Sequence, residues 1–301
     1  MRIGVMIDVG QPIDDVIAQV DGLRTAGLDS VWSSQIFGYD ALTLLAVVGR
    51  EVPDIELGTA VVPTYPRNPV MLAGQALTVQ AATGGRLTLG VGLSHEVVIE
   101  NVFGQSFDRP ARHMREFLSI LTPLLMGEQV AFTGETLRAA TFGGLEVEAP
   151  APPVLVAALG PTMLGLAARL ASGTVTWMTG PSTIESHIVP VIGSAAAEAG
   201  RGEPRIAVGL PVCVTTDIAA AKEKAAVLFA IYGGLPSYRA MLDREEAEGP
   251  ADVAIVGSED EVAARVRRLA DIGATDFIGA PFGTAEEINA SIGALAGLVG
   301  A

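Results

Sequence analysis

Short runs of Val, Ile, Leu and Ala alternate along this chain with longer stretches of helical character, and no other property narrows the fold as far. Eight such runs read as strands, at residues 3–7, 30–33, 56–63, 88–92, 154–158, 174–178, 206–215 and 276–280. Several are continuous rather than alternating, which is the pattern of strands covered on both faces. Helices are predicted over 12–26, 40–51, 69–83, 110–126, 161–170, 181–199, 217–231, 259–272 and 284–298. Many open on Pro or an acidic residue, and Gly closes several, as at Gly27, Gly84, Gly127, Gly200 and Gly273. A strand–helix repeat of this kind closes into a parallel barrel, so the expected fold is α/β, a (β/α)8 TIM barrel. Aromatic residues are 5% of the chain and glycine supplies 35 of its 301 positions, so small aliphatic side chains must fill the interior.

Two segments break the rhythm. Residues 128–153 read as a hairpin (129–132, then 136–141) with a Pro-rich connector, and residues 232–254 form an extra segment hinged at Gly233-Gly234. They are insertions after strands 4 and 7, where barrels carry lids. No repeat or long linker divides the chain, so residues 1–301 are expected to form a single domain.

A net charge of −15 and a pI near 4.6 argue against binding to nucleic acid or to anionic lipid. Cys213 is the sole cysteine, which excludes an intrachain disulfide and fits a core residue. The N-terminus meets Asp8 too early for a secretory apolar segment, and no apolar run reaches the roughly 18 residues a membrane span needs. A cytoplasmic protein without membrane or nucleic-acid partners is expected.

In a parallel barrel, the ends of all strands share one rim, which is where such folds keep their chemistry. Four strand ends here are suited to a flat ligand with a phosphate: 32–35 (Trp-Ser-Ser-Gln), 58–63, 90–95 and 156–161. Gly90-Val91-Gly92-Leu93-Ser94-His95 lets backbone approach a ligand and puts an imidazole on the rim, where it can exchange protons or simply cap the next turn. The three histidines lack metal-ligand spacing, so no metal is expected. Pro63 to Pro69 fixes Tyr65 and Arg67 near the rim, either as site residues or as a stiff loop. Gly160-Pro161 opens a helix whose free N–H groups suit a phosphate, a weak motif by itself. Arg109, Arg112 and Arg115 form a basic cluster in which Arg112 can pair with Glu116 at i, i+4. Arg109 and Arg112 suit an anionic ligand as well as a salt-bridged turn. P-loop, G-x-G-x-x-G, G-x-S-x-G, C-x-x-C and H-E-x-x-H motifs are all missing.

Gly27-Leu28-Asp29-Ser30-Val31-Trp32, Gly58-Thr59-Ala60-Val61 through Arg67-Asn68-Pro69, Gly84-Gly85-Arg86-Leu87-Thr88-Leu89-Gly90-Val91-Gly92 and Val256-Gly257-Ser258 jointly resemble the luciferase-like superfamily of barrels, over essentially the whole chain. Gly92 to His95 and Arg109 to Glu116 are more similar to the branch that uses the deazaflavin coenzyme F420 than to the FMN monooxygenases. The resemblance implies a non-prolyl cis bond at Ala60-Val61 backing the middle ring, with Pro63 just beyond. It places Gly92, Ser94 and His95 beside the ring, and Ala157, Ala158, Gly160 and Pro161 by the ribityl phosphate. Arg67, Arg109 and Arg112 become counter-charges for an anionic coenzyme.

Two departures matter. Alcohol-oxidising relatives carry Asp-His after the second strand, where this chain has Gln35-Ile36, and sugar-phosphate oxidisers carry Lys where it has Gly180-Pro181. The implied enzyme is therefore an F420-dependent reductase, delivering hydride to a C=C or C=N bond of an uncharged small molecule. His95 is its expected proton donor, Tyr65 the runner-up, and Gln35 a residue that orients substrate or ring. Relatives imply a homodimer. The alternatives are an FMN-dependent monooxygenase and a catalytically silent paralogue that binds flavin or deazaflavin.

Overall fold

A computed structural model describes residues 1–300. Eight parallel strands close on themselves: β1 (Arg2–Met6), β2 (Ser30–Ser33), β3 (Glu56–Thr59), β4 (Leu87–Gly92), β5 (Val154–Val156), β6 (Gly173–Trp177), β7 (Arg205–Val214) and β8 (Asp276–Pro281), with β8 pairing back to β1. Helices cover the outside, and the largest apolar cluster lies between them and the strands. A short strand, Ile255–Gly257, extends the sheet beside the far end of β7.

The barrel interior is filled by Trp32, Leu155, Val175, Ala207 and Ile278, one from each of five strands. A single indole replaces several side chains, and glycine makes the room: a Cβ on Gly58 would overlap the Trp32 ring. The indole N–H donates to Ser30 Oγ at 2.9 Å. At the N-terminal end, an ionic layer closes the barrel. Arg205 donates to both Asp276 carboxylate oxygens, at 2.6 and 2.8 Å, and to Thr88 Oγ1 at 2.8 Å. Arg2 pairs with Glu56 and Asp276. Burial alone would raise the Asp276 carboxyl, but the Arg205 hydrogen bonds and charge, aided by Thr275 and Arg2, hold it below the usual range.

Besides the added strand Ile255–Gly257, three elements differ from the sequence-based expectation. The third strand is not continuous over 56–63 but splits into Glu56–Thr59 and Val62–Pro63. Its partners shift from Gly58↔Thr88 to Val62↔Val91, so β3 carries one extra residue, a β-bulge at Ala60-Val61. The 181–199 helix is interrupted by a π-turn, Ile184–Ile188, which presents His187 Nε2 to the Leu159 carbonyl at 2.8 Å. A helix over Glu96–Asn101 follows β4 where none was expected.

The first insertion forms the expected hairpin, Ala131–Thr133 with Arg138–Ala140. It is clamped by the Glu116 carboxylate, which accepts from the backbone N–H groups of Glu135, Thr136 and Leu137 and from the Thr136 hydroxyl. Glu116 therefore does not pair with Arg112, which turns to Glu135 instead. The second insertion folds into three short helices, Ala230–Gly234, Pro236–Arg244 and Pro250–Val253. Among the described residues, no helix is long and apolar enough to cross a membrane.

Candidate active site

At the C-terminal mouth, the bulge in β3 sets Ala60 and Val61 over the Trp32 cluster, and the Ala60–Val61 peptide bond is cis. β4 passes beside them at Gly92. A Cβ on Gly92 would lie 2.7 Å from Val61 Cγ2 and 3.1 Å from Ala157 Cβ, so only glycine fits there. Thr64 N–H donates to the Gly92 carbonyl and Ala157 N–H to the Val91 carbonyl, each at 2.8 Å, which ties Pro63 and the end of β5 to the same strand. Ala60, Val61, Gly92 and Ala157 thus make a continuous floor of small apolar groups.

Past Gly92 the chain bends through Ser94, at φ +63° in the left-handed region. His95 follows in extended conformation at the start of the Glu96–Asn101 helix, and its side chain makes no capping hydrogen bond. Burial pushes its imidazole below the usual histidine range. On the far side of the floor, Ala158 is buried and its carbonyl accepts from Thr174 Oγ1. Gly160 opens the Pro161–Leu170 helix without a side-chain cap, and a Cβ there would meet nothing within 4 Å. That helix start presents unpartnered N–H groups to an open space.

An aromatic wall stands at the same mouth, reaching the floor's edge where Tyr238 meets His95. Trp177, at the end of β6, lies 5.9 Å from Tyr232 and 6.1 Å from Phe229 between ring centroids. Tyr232 stands 5.1 Å from Tyr238, which stands 5.8 Å from His95. Phe282, after β8, completes the wall against Phe229.

Residues 1–276 match the family model described as luciferase-like monooxygenase. This chain belongs to that family. Among curated relatives, a 5,10-methylenetetrahydromethanopterin reductase of Methanolobus tindarius is 27% identical over 321 aligned positions, 95% of this chain and 96% of that protein. Among solved structures, the coenzyme F420-dependent tetrahydromethanopterin reductase of Methanopyrus kandleri superposes with a TM-score of 0.83 at 21% identity, covering 98% of this chain and 97% of that one. The FMN-bound oxygenating constituent of 3,6-diketocamphane monooxygenase from Pseudomonas putida gives a TM-score of 0.76 at 18% identity, covering 98% and 96%. The two structural likenesses establish the barrel.

Of the residues that the luciferase-like pattern implies, several do not join the floor and wall. Gln35 accepts from the Ala41 N–H at 2.7 Å and from Arg67 at 3.2 Å, so its amide oxygen serves the loop after β2. Arg67 is paired with Asp40 at 2.6 Å. Arg109 and Arg112 both meet Glu135 on the hairpin. All three arginines already carry a carboxylate. Tyr65 stacks on His113, with centroids 3.9 Å apart and rings 5° from parallel, and donates to the Asp108 carbonyl. Burial pushes its phenol up to about 12, which disfavours it as an acid near neutrality.

Sequence reasoning missed Trp177, Phe229, Tyr232 and Tyr238 as a group. The signal for Trp177 was present, because it ends a predicted strand on the rim. Tyr232 and Tyr238 lay inside the segment expected as a lid, but nothing local says which way a lid folds.

Proposed function

We propose that this protein is a coenzyme F420-dependent oxidoreductase working in the reductive direction on a C=C or C=N bond of a small molecule. The observation that carries the proposal is the floor of Ala60, Val61, Gly92 and Ala157, running from the unbonded His95 on one side to the uncapped helix start at Gly160-Pro161 on the other. Small side chains let a tricyclic ring lie flat. The N–H groups at the helix start suit its phosphate, a role that the occupied arginines leave open. When bound, the reduced deazaflavin supplies a hydride.

The chain's own residues supply position and the proton. As hydride reaches a substrate carbon, the neighbouring carbon or nitrogen must take up one proton. His95 stands on the floor's edge to deliver it. Because burial lowers its pKa, His95 is mostly neutral at pH 7, and its protonated fraction grows as pH falls. Oxidation of an alcohol would need a base after β2. Gln35 cannot serve, and its amide is already engaged, which favours reduction.

The competing occupant is FMN, since the same floor accepts an isoalloxazine and an FMN-bound monooxygenase shares the fold. Titration with oxidised coenzyme F420 and, in parallel, with FMN, followed by fluorescence, tests the proposal. Micromolar affinity for the deazaflavin, with FMN at least tenfold weaker, is expected. A preference for FMN would move the protein to the monooxygenases, and tight F420 binding without any turnover would mark a silent paralogue.

A further inference from the structure

The polar groups of the aromatic wall are unspent. The Trp177 Nε1–H is buried and has no hydrogen-bond partner. The Tyr232 phenol is pushed up by burial and drawn down by that indole N–H, which approaches it without reaching hydrogen-bond geometry. Tyr238 is pushed up further, by burial and by Tyr232. Away from the mouth, the less exposed counterparts are engaged: Trp32 with Ser30, His113 with Thr64, His187 with the Leu159 carbonyl, Tyr65 with the Asp108 carbonyl. A buried donor without an acceptor is unfavourable and uncommon in a folded chain. The mouth therefore lacks an acceptor that something else must bring.

Two further features describe that acceptor. The floor is a bare layer of small apolar groups, the rings of the wall meet one another edge to face, and Trp177, Tyr232, Tyr238 and Phe229 carry no formal charge. Around the opening, Ile36, Phe37, Val97, Val102 and Ile231 are each more than half exposed, on the segments that follow β2, β4 and β7. These rings and the bare floor offer an ionic substrate no counter-charge, whereas a flat apolar one can lie on the floor with aromatic edges and faces beside it.

We propose that this wall is the substrate subsite, and that it takes an uncharged, planar, conjugated carbonyl compound whose oxygen accepts from Trp177 Nε1–H and the Tyr232 hydroxyl. This rests on the reductase reading of the floor. The β-carbon of the substrate takes the hydride supplied by the reduced deazaflavin, the C=C pair moves toward the carbonyl oxygen as an enolate, and the α-carbon then takes one proton. The balance is one hydride and one proton consumed per C=C bond reduced. Trp177 and Tyr232 act where the negative charge collects, which is where fixed donors lower a barrier most.

The test compares coumarin with 2H-chromene, the same bicycle without the carbonyl, by equilibrium dialysis against the protein alone and with oxidised coenzyme F420, so that no turnover occurs. Trp177→Phe should weaken coumarin about tenfold and Tyr232→Phe about threefold, the span of one hydrogen bond, with chromene changed less than twofold. Equal weakening of both probes would reduce the wall to packing and overturn the proposal. So would unchanged affinity in both variants, or coumarin failing to bind the wild-type protein. Coumarin discrimination in a protein that binds no deazaflavin would leave the subsite standing and remove the reductase reading. F420 binding without discrimination would do the reverse.

Discussion

The two ends of this barrel handle polar groups in opposite ways. At the N-terminal end, Arg205, Asp276, Arg2, Glu56 and Thr88 satisfy one another, and Trp32 above them has given its N–H to Ser30. At the C-terminal end, Trp177, Tyr232, Tyr238 and His95 cluster with their hydrogen-bonding capacity unused, over a floor that glycine and alanine keep bare. One end holds the chain closed; the other leaves work for a ligand. That division is the usual one in such barrels, where stability sits at the bottom and chemistry at the top.

Breaking the closed end should have the largest effect. Asp276→Ala removes the two-point partner of the largely buried Arg205 side chain and leaves it Glu56 at 3.7 Å, and a loss of about 3 kcal/mol in urea unfolding is expected. Coenzyme affinity of the folded fraction should stay within twofold, and a parallel collapse of both would blur the distinction between the ends.

Acid probes a third region, the flank where Tyr65 covers His113. Burial, outweighing the Glu116 charge, lowers the His113 imidazole from 6.5 to about 4. The unfolded chain thus binds a proton that the native chain refuses, and stability falls as pH drops from 6.5 to 4, levelling below. The loss amounts to about 3 kcal/mol at 1.36 per unit. His113→Gln should flatten that slope in denaturation curves taken at pH 4, 5 and 7.

At the open end, effects should fall on function instead. His95→Asn is expected to slow reduction by roughly 100-fold if the imidazole delivers the proton. It should also remove a rise in rate toward acid pH that the wild type shows, with little change in melting temperature. Gly92→Ala forces a methyl between Val61 and Ala157 and should weaken deazaflavin binding about tenfold, or about 1.4 kcal/mol. Arg112→Ala should matter least. Glu135 holds that guanidinium at the surface, where such pairs are worth about 0.2–1 kcal/mol, so coenzyme affinity should change less than threefold.

Much of the scaffold is legible because its cause is local. Continuous apolar runs mark strands buried on both faces, and Pro or Gly marks helix ends, so strand Val154–Val156 lies within its expected run and helix Pro161–Leu170 falls where the sequence places it. The site is legible only in its floor, where Gly92, Ala157 and the Ala60-Val61 bulge sit at strand ends. The wall is not, because Trp177, Phe229, Tyr232 and Phe282 come from three separate stretches that meet only after closure. The arginines mislead for the same reason. Helical spacing offers Glu116 to Arg112, but the hairpin's backbone N–H groups claim that carboxylate, and its own Glu135 replaces it. Spacing along a helix cannot reveal a partner that a distant insertion brings.

The chain has only two tryptophans, and the barrel puts one in its sealed interior and the other at its open mouth. Trp32 is sealed at 1% exposure and bonded, so its emission should be fixed across conditions that leave the fold intact. Trp177 is half-buried beside Phe229 and the Tyr232 phenol, so its emission should respond to whatever enters the mouth. The protein thereby contains an internal standard beside its own sensor, and a ratio of two lifetimes in one unlabelled sample would report occupancy separately from unfolding.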